Sequence, residues 1–249
     1  MAIKDQAEVL WGAWIGKLPG TIRERVGLLG GADAAARAAG VTPGTVRRWM
    51  REEDKAVPRT VDKAVQKMGG VEEAARTAGV KPRTIKEWMR RERRGQEPGK
   101  RQAAHIAKLT GAAQKKHIAE QRPHGNQQKL HRATLRSPVA RKAAMSSRRA
   151  SRMSTSGVHV SMSARVIIDT GRRKDERWRE INCNFRGDVM AEPTRAFLSG
   201  NDDEAKDKLS EAFGTNYAPG TGWQFGEIRS MTLGEFNPGN GGVFPDSGE

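Results

Sequence analysis

Apolar residues in the first third of the chain fall at helical spacing, and the pattern then repeats as a block. Ile22, Val26 and Leu29 stand at i, i+4 and i+7, which places them on one helix face, and 39 residues later Val61, Val65 and Met68 do the same. Thr21 and Thr60 occupy N-cap positions, and the pairs Gly30-Gly31 and Gly69-Gly70 end these helices. A second helix, AAARAA in one block and EAARTA in the other, carries the small residues Ala35 and Ala74 where another helix can approach closely. It stops at Gly40 and Gly79, each followed by a valine, because glycine accepts the positive φ of a tight turn. Pro43 and Pro82 suit the first turn of a third helix, in which Val46, Trp49 and Met50, or Ile85, Trp88 and Met89, form the buried stripe.

Aligned over Pro19 to Arg51 and Pro58 to Arg90, the blocks are identical at 16 of 33 positions, so the chain holds a duplicated trihelical unit. The face of the third helix opposite the stripe carries Gly44, Thr45, Arg47, Arg48 and Arg51 in the first copy. In the second it carries Arg83, Thr84, Lys86, Glu87 and Arg90, with Arg93 and Arg94 just beyond.

The segments AARAAGVTPGTVRRWM and AARTAGVKPRTIKEWM resemble the core of the helix-turn-helix superfamily, trihelical and homeodomain-like. That resemblance implies a third helix lying in the major groove of double-stranded DNA, its N-terminal residues at base edges and nearby Lys and Arg on phosphates. Arg47, Arg48, Arg83 and Lys86 can meet guanine edges or phosphate, and Thr45 and Thr84 suit either role. The second copy departs from the first where Lys81 replaces the capping Thr42 and Glu87 replaces Arg48, so the two copies are expected to read different half-sites. Ordinary trihelical units that dock a protein are the competing reading.

Beyond the repeat the charge changes. Residues 1–92 hold 18 basic and 12 acidic side chains, 93–157 hold 16 and 2, and 158–249 hold 11 and 15; the whole chain carries +16. A balance of this sign favours polyanionic partners. From Gln102 to Gln121 a further helix is expected, with a degenerate third unit as a variant. Residues 123–157, low in apolar side chains and rich in like charge, read as an extended basic linker, disordered when free and gripping phosphates.

Alternation then marks strands in VHVSMSARVII, RWREINCNFRG and GWQFGEIRSMTL, and NDDEAKDKLSEAF reads as an amphipathic helix between the last two. The expected fold is a mainly α N-terminal region of two tandem helix-turn-helix units, a basic linker and a small C-terminal α+β domain. Its divisions are an N-terminal extension 1–18, units 19–56 and 57–95, a basic helix and linker 96–157, the α+β domain 158–235 and a flexible tail 236–249.

Candidate chemistry adds little. A lone cysteine, Cys183, leaves no internal disulfide or cysteine-based zinc site. His105, His117, His124 and His131 lack ligand spacing, so neither metal nor cofactor is expected. There are no catalytic carboxylate pair, Ser-His-Asp set or phosphate-cradling loop, and no apolar run of about 18 residues. A cytoplasmic, nucleoid-associated bacterial DNA-binding protein without enzymatic activity is the expectation, serving transcription regulation or plasmid or phage replication and maintenance. The C-terminal domain is expected to mediate oligomerisation or partner docking. Two alternatives stand beside it. The chain is faintly similar to telomere terminal proteins of linear actinomycete replicons, which implies a priming hydroxyl on Tyr217 or one of many Ser and Thr. A DNA-coating or adaptor protein is the other.

Overall fold

Glycine turns, caps and buried tryptophans divide the first half of the chain as the repeat implies. The computed structural model describes residues 5–120, 125–169, 171, 173–217, 219, 222–239 and 241–244. Pro123, His124 and the end of the tail, 245–249, lie outside the described residues. After a leading helix α1 (Gln6–Ile15), the first unit is α2 (Ile22–Leu28), α3 (Ala32–Ala39) and α4 (Pro43–Ala56). The second is α5 (Val61–Met68), α6 (Val71–Ala78) and α7 (Pro82–Arg93). Thr21 and Thr60 cap α2 and α5 by accepting the N–H of Glu24 and Lys63. Gly40 and Gly79 are left-handed, at φ 65° and 71°. The next valine folds back there, the N–H of Val41 and Val80 each donating at 3.0 Å to the carbonyl of Ala36 and Ala75. This turn sets the angle at which α4 and α7 leave.

Two further ties recur in both units. The Glu53 carboxylate accepts from Ile22 N at 2.8 Å and Arg23 N at 3.2 Å; Glu92 accepts from Val61 N at 3.0 Å and Asp62 N at 3.3 Å. Each clamps the end of the unit's third helix onto free N–H groups of its first. Beside the clamp runs an ion pair whose polarity is exchanged between copies, Arg23 to Asp54 in the first and Asp62 to Arg93 in the second.

The helix expected from Gln102 to Gln121 is α8 (Lys100–Glu120), but the residues read as an extended linker, described from 125 on, form α9 (Asn126–Arg136), α10 (Pro138–Ala144) and α11 (Ser147–Thr155). Leu109 and Ala113 of α8 complete the core of the second unit, and Leu130, Leu135 and Ala140 complete that of the first. Helix α8 is therefore a closing helix of the second unit and not a degenerate third one. Gln102, His105, Ala107 and Leu109 recur at the same spacing as Gln128, His131, Ala133 and Leu135. The closing helix of the first unit thus follows the whole second unit in the chain.

The cations that implied disorder hold helices together. Arg141, fully buried, donates to the carbonyls of Leu135 and Phe197, each at 2.6 Å, pairs with Asp202 and lies 4.3 Å over the Phe197 ring. Arg149 donates to the carbonyls of Ala13 at 2.9 Å, Trp14 at 2.5 Å and Leu233 at 3.0 Å, closing the C-terminus of α1. Burial lowers the pKa of both guanidinium groups, and carbonyl acceptors compensate the lost hydration.

The C-terminal part comprises β1 (Val158–Asp169), β2 (Lys174–Phe185), α12 (Ala191–Leu198), α13 (Asp202–Asn216), β3 (Gly222–Glu235) and β4 (Gly242–Phe244), with sheet order β3-β1-β2-β4. Strand β1 is antiparallel to β2 and β3, with Val160 opposite both Cys183 and Leu233. Alternation sends Val158, Val160, Met162, Cys183, Phe185 and Leu233 to one face, where they pack with Phe197, Leu209 and Phe213 of the two helices. Strand β4 pairs parallel with β2, so residues 242–244 of the expected flexible tail are part of the sheet.

The N-terminal extension is structural as well. Trp11 of α1 enters the core of the first unit, while Trp14 enters the sheet core, stacked 5.0 Å from Phe197. Gln6 exchanges two hydrogen bonds with the backbone of Ile228, at 2.7 and 3.2 Å, and with Arg149 it covers the outer edge of β3.

Candidate nucleic-acid interface

Helices α4 and α7 are pinned from beneath. Val46 and Ile85 are fully buried, and Trp49 and Trp88 are 7% and 3% exposed. With this stripe inward, helical geometry turns the opposite face to solvent. All twelve sequence-derived site residues are solvent-facing: Gly44, Arg47, Arg48, Arg51, Arg83, Lys86, Glu87, Arg90, Arg93 and Arg94 are exposed, and Thr45 and Thr84 are half-buried.

The two faces differ in how their charges are held. In the first unit Arg47 lies 3.3 Å from Asp33 and Arg48 3.9 Å from Glu52, and the Thr45 hydroxyl is 3.0 Å from that of Thr42. Arg51 has no ion pair among the described residues. In the second unit Arg91 takes Glu87 at 2.7 Å. Arg93 is bound by both oxygens of Asp62, at 2.9 and 3.2 Å, and its pKa is raised by that hydrogen bond and charge. Arg93 is thereby committed to α5. Arg83, Lys86, Arg90 and Arg94 form no ion pair among the described residues, and the first turn of α7 has no side-chain cap at Lys81.

Several residues of the site escaped sequence reasoning. Asp33 and Glu52 neutralise the first face, and the i, i+4 spacing of Arg48 and Glu52 was a readable signal. Glu53 and Glu92 lie two positions beyond the aligned window, where extending the repeat would have found them. Lys108 of α8 has no such signal: its Nζ comes within 4.0 Å of the place a side-chain carbon on Gly79 would take, beside the turn that leads into α7. His105 fastens α8 there by donating Nδ1–H to the Ala78 carbonyl at 2.9 Å.

The remaining candidates are absorbed by the fold. His131 is buried with Nε2 3.0 Å from Glu8; burial, then the Arg25 charge, lowers its pKa against the pull of Glu8. Burial pushes the Cys183 thiol up to about 12. Tyr217, the hydroxyl-bearing residue considered for priming, is half-buried and packs against the sheet core, its ring 4.9 Å from Phe244, 5.4 Å from Trp223 and 5.7 Å from Phe213. Among the described residues no helix is long and apolar enough to cross a membrane.

Comparison with protein-family models, with curated proteins and with solved structures finds no match.

Proposed function

We propose that the chain is a double-stranded-DNA-binding protein. In this reading the outward faces of α4 and α7 enter major grooves and read a bipartite site, in transcription regulation or the maintenance of a replicon. One observation carries it: a unit made twice, each time with a buried tryptophan beneath a helix that turns a threonine and several basic side chains to solvent, on a chain of net charge +16. A cationic helix standing proud of a rigid trihelical base suits groove entry, because phosphates position it and base edges select.

Selection of bound duplexes from a random-sequence pool, at low and at physiological ionic strength, tests the reading. Two helix-turn-helix units imply enrichment of two short half-sites at fixed spacing that persists at the higher salt. Binding that vanishes there without enriching any sequence identifies a coating protein instead. Covalent attachment of a nucleotide in the presence of a polymerase identifies a terminal protein.

A further inference from the structure

The cores of the two units are closed differently. Around the first stand α1, α9 and α10, which contribute Ala7, Trp11, Leu130, Leu135 and Ala140. Around the second, among the described residues, stands α8 alone, with Leu109 and Ala113 in the core and Ile106 against it. A cavity of about 80 Å³ remains between α5, α7 and α8, walled by Val61, Trp88 and Ile106, with the exposed Pro98 at its mouth.

Two buried polar atoms of the lining residues have no partner among the described residues, the donor Trp88 Nε1 and the acceptor Gln102 Oε1. A buried indole N–H ordinarily finds an acceptor. Trp11 and Trp14 do so here, each at 3.0 Å, on the Lys17 carbonyl and the Thr194 hydroxyl. The charged groups of the wall are already engaged: Glu92 holds Val61 N and Asp62 N at 3.0 and 3.3 Å, and Arg91 holds Glu87 at 2.7 Å. What stays open is one donor, one acceptor and apolar surface, a set that suits a neutral ligand.

We propose that this cavity is a binding site for a small neutral amide, which accepts from Trp88 Nε1, donates an N–H to Gln102 Oε1 and lays its alkyl end against Val61 and Ile106. The volume admits a group of roughly three to five non-hydrogen atoms. Water also fits, but it meets two open polar partners against otherwise apolar walls, the low end of what holds a buried water. An amide that keeps both hydrogen bonds and fills the apolar remainder displaces that water with a gain in affinity. The site lies beneath α7 and does not rest on the DNA-binding reading.

The test follows the Trp88 indole N–H signal of the ¹⁵N-labelled full chain by NMR, the signal being identified by its loss in Trp88→Phe. Propionamide, butanone and propionate are titrated in turn; butanone keeps the acceptor and the shape without the donor, and propionate adds a charge. Propionamide is expected to shift the signal saturably, with half-saturation at roughly 1–10 mM. Butanone should bind about tenfold more weakly, since it leaves Gln102 unmet, and propionate should give no saturable shift. Gln102→Met removes the acceptor and keeps the volume, so propionamide should lose about tenfold there while butanone changes little. A shift that stays linear in propionamide overturns the proposal and assigns the cavity to water. Equal binding of propionamide and butanone by the wild type, or unchanged propionamide binding by a folded Gln102→Met, overturns it as well, leaving an unselective apolar gap. If Gln102→Met does not fold, the comparison of the three probes on the wild type decides.

Discussion

Replacing Glu53 by Gln isolates the tie between the end of α4 and the start of α2. The side chain keeps its shape, so no cavity forms. One oxygen still accepts an N–H, but the other becomes an NH2 that faces a second donor. The wild-type carboxylate receives Ile22 N at 2.8 Å and Arg23 N at 3.2 Å and is 7% exposed, so water cannot readily take its place. It also opposes the buried Arg25, whose pKa is lowered by burial and raised by Glu53. Loss of one charge-assisted hydrogen bond with a buried donor left unmet costs roughly 2–3 kcal/mol. The equivalent Glu92 is half-buried, and Glu92→Gln is expected to cost about half as much by the same reasoning. Amide hydrogen exchange reads both locally. In Glu53→Gln, protection over residues 20–29 should fall by one to two orders of magnitude, since about 1.4 kcal/mol is tenfold, while residues 59–68 keep theirs. A loss below about threefold would show that the clamp is dispensable, and a larger effect at Glu92 would refute the role given to burial.

Three further outcomes follow from the cores and the buried groups. Trp88→Ala should cost roughly 3–5 kcal/mol and unfold the second unit before the sheet domain, seen as an early urea transition in far-UV circular dichroism; retention of a single unshifted transition would contradict the anchor role. Cys183, its thiol held up by burial to about 12, should resist a thiol reagent in the native protein and react only on unfolding; rapid native labelling would count against the strand register that buries it. His131 has its pKa lowered by folding, so the unfolded chain takes up the proton first as pH falls through about 6.5, and stability should drop from pH 7 toward pH 5. His131→Asn should flatten that slope, and an unchanged slope would assign it to other groups.

The duplicated unit was legible because its signals are local. Thr21, Gly40, Pro43 and Trp49 each act on neighbours within a turn or two, and the second copy repeats them in register. The strands from Val158 were legible by alternation for the same reason. What was missed depends on partners far along the chain. Arg141 and Arg149 look like linker cations until Phe197, Asp202 and the carbonyls of α1 come to meet them. Composition counts their charge but not its acceptors. Helix α1 reads as an extension by its place ahead of the repeat, although VLWGAWI, residues 9–15, is free of charge on every side, the pattern of a helix buried between two layers. Of the site, the exposed face could be read from periodicity alone. Its electrostatic asymmetry could not, since Asp33 reaches Arg47 from another helix, and Arg93 is committed to Asp62 across 31 residues.

The salt dependence of duplex binding, followed by fluorescence anisotropy, tests most directly whether the α7 face meets DNA. Arg83→Ala, Lys86→Ala and Arg90→Ala combined should leave the circular dichroism spectrum unchanged and weaken binding. The log–log slope against salt should become shallower by about 2.7, or 0.9 for each phosphate no longer neutralised. An unaltered slope and affinity in that variant would place the nucleic acid on another face of the molecule or exclude it as a ligand.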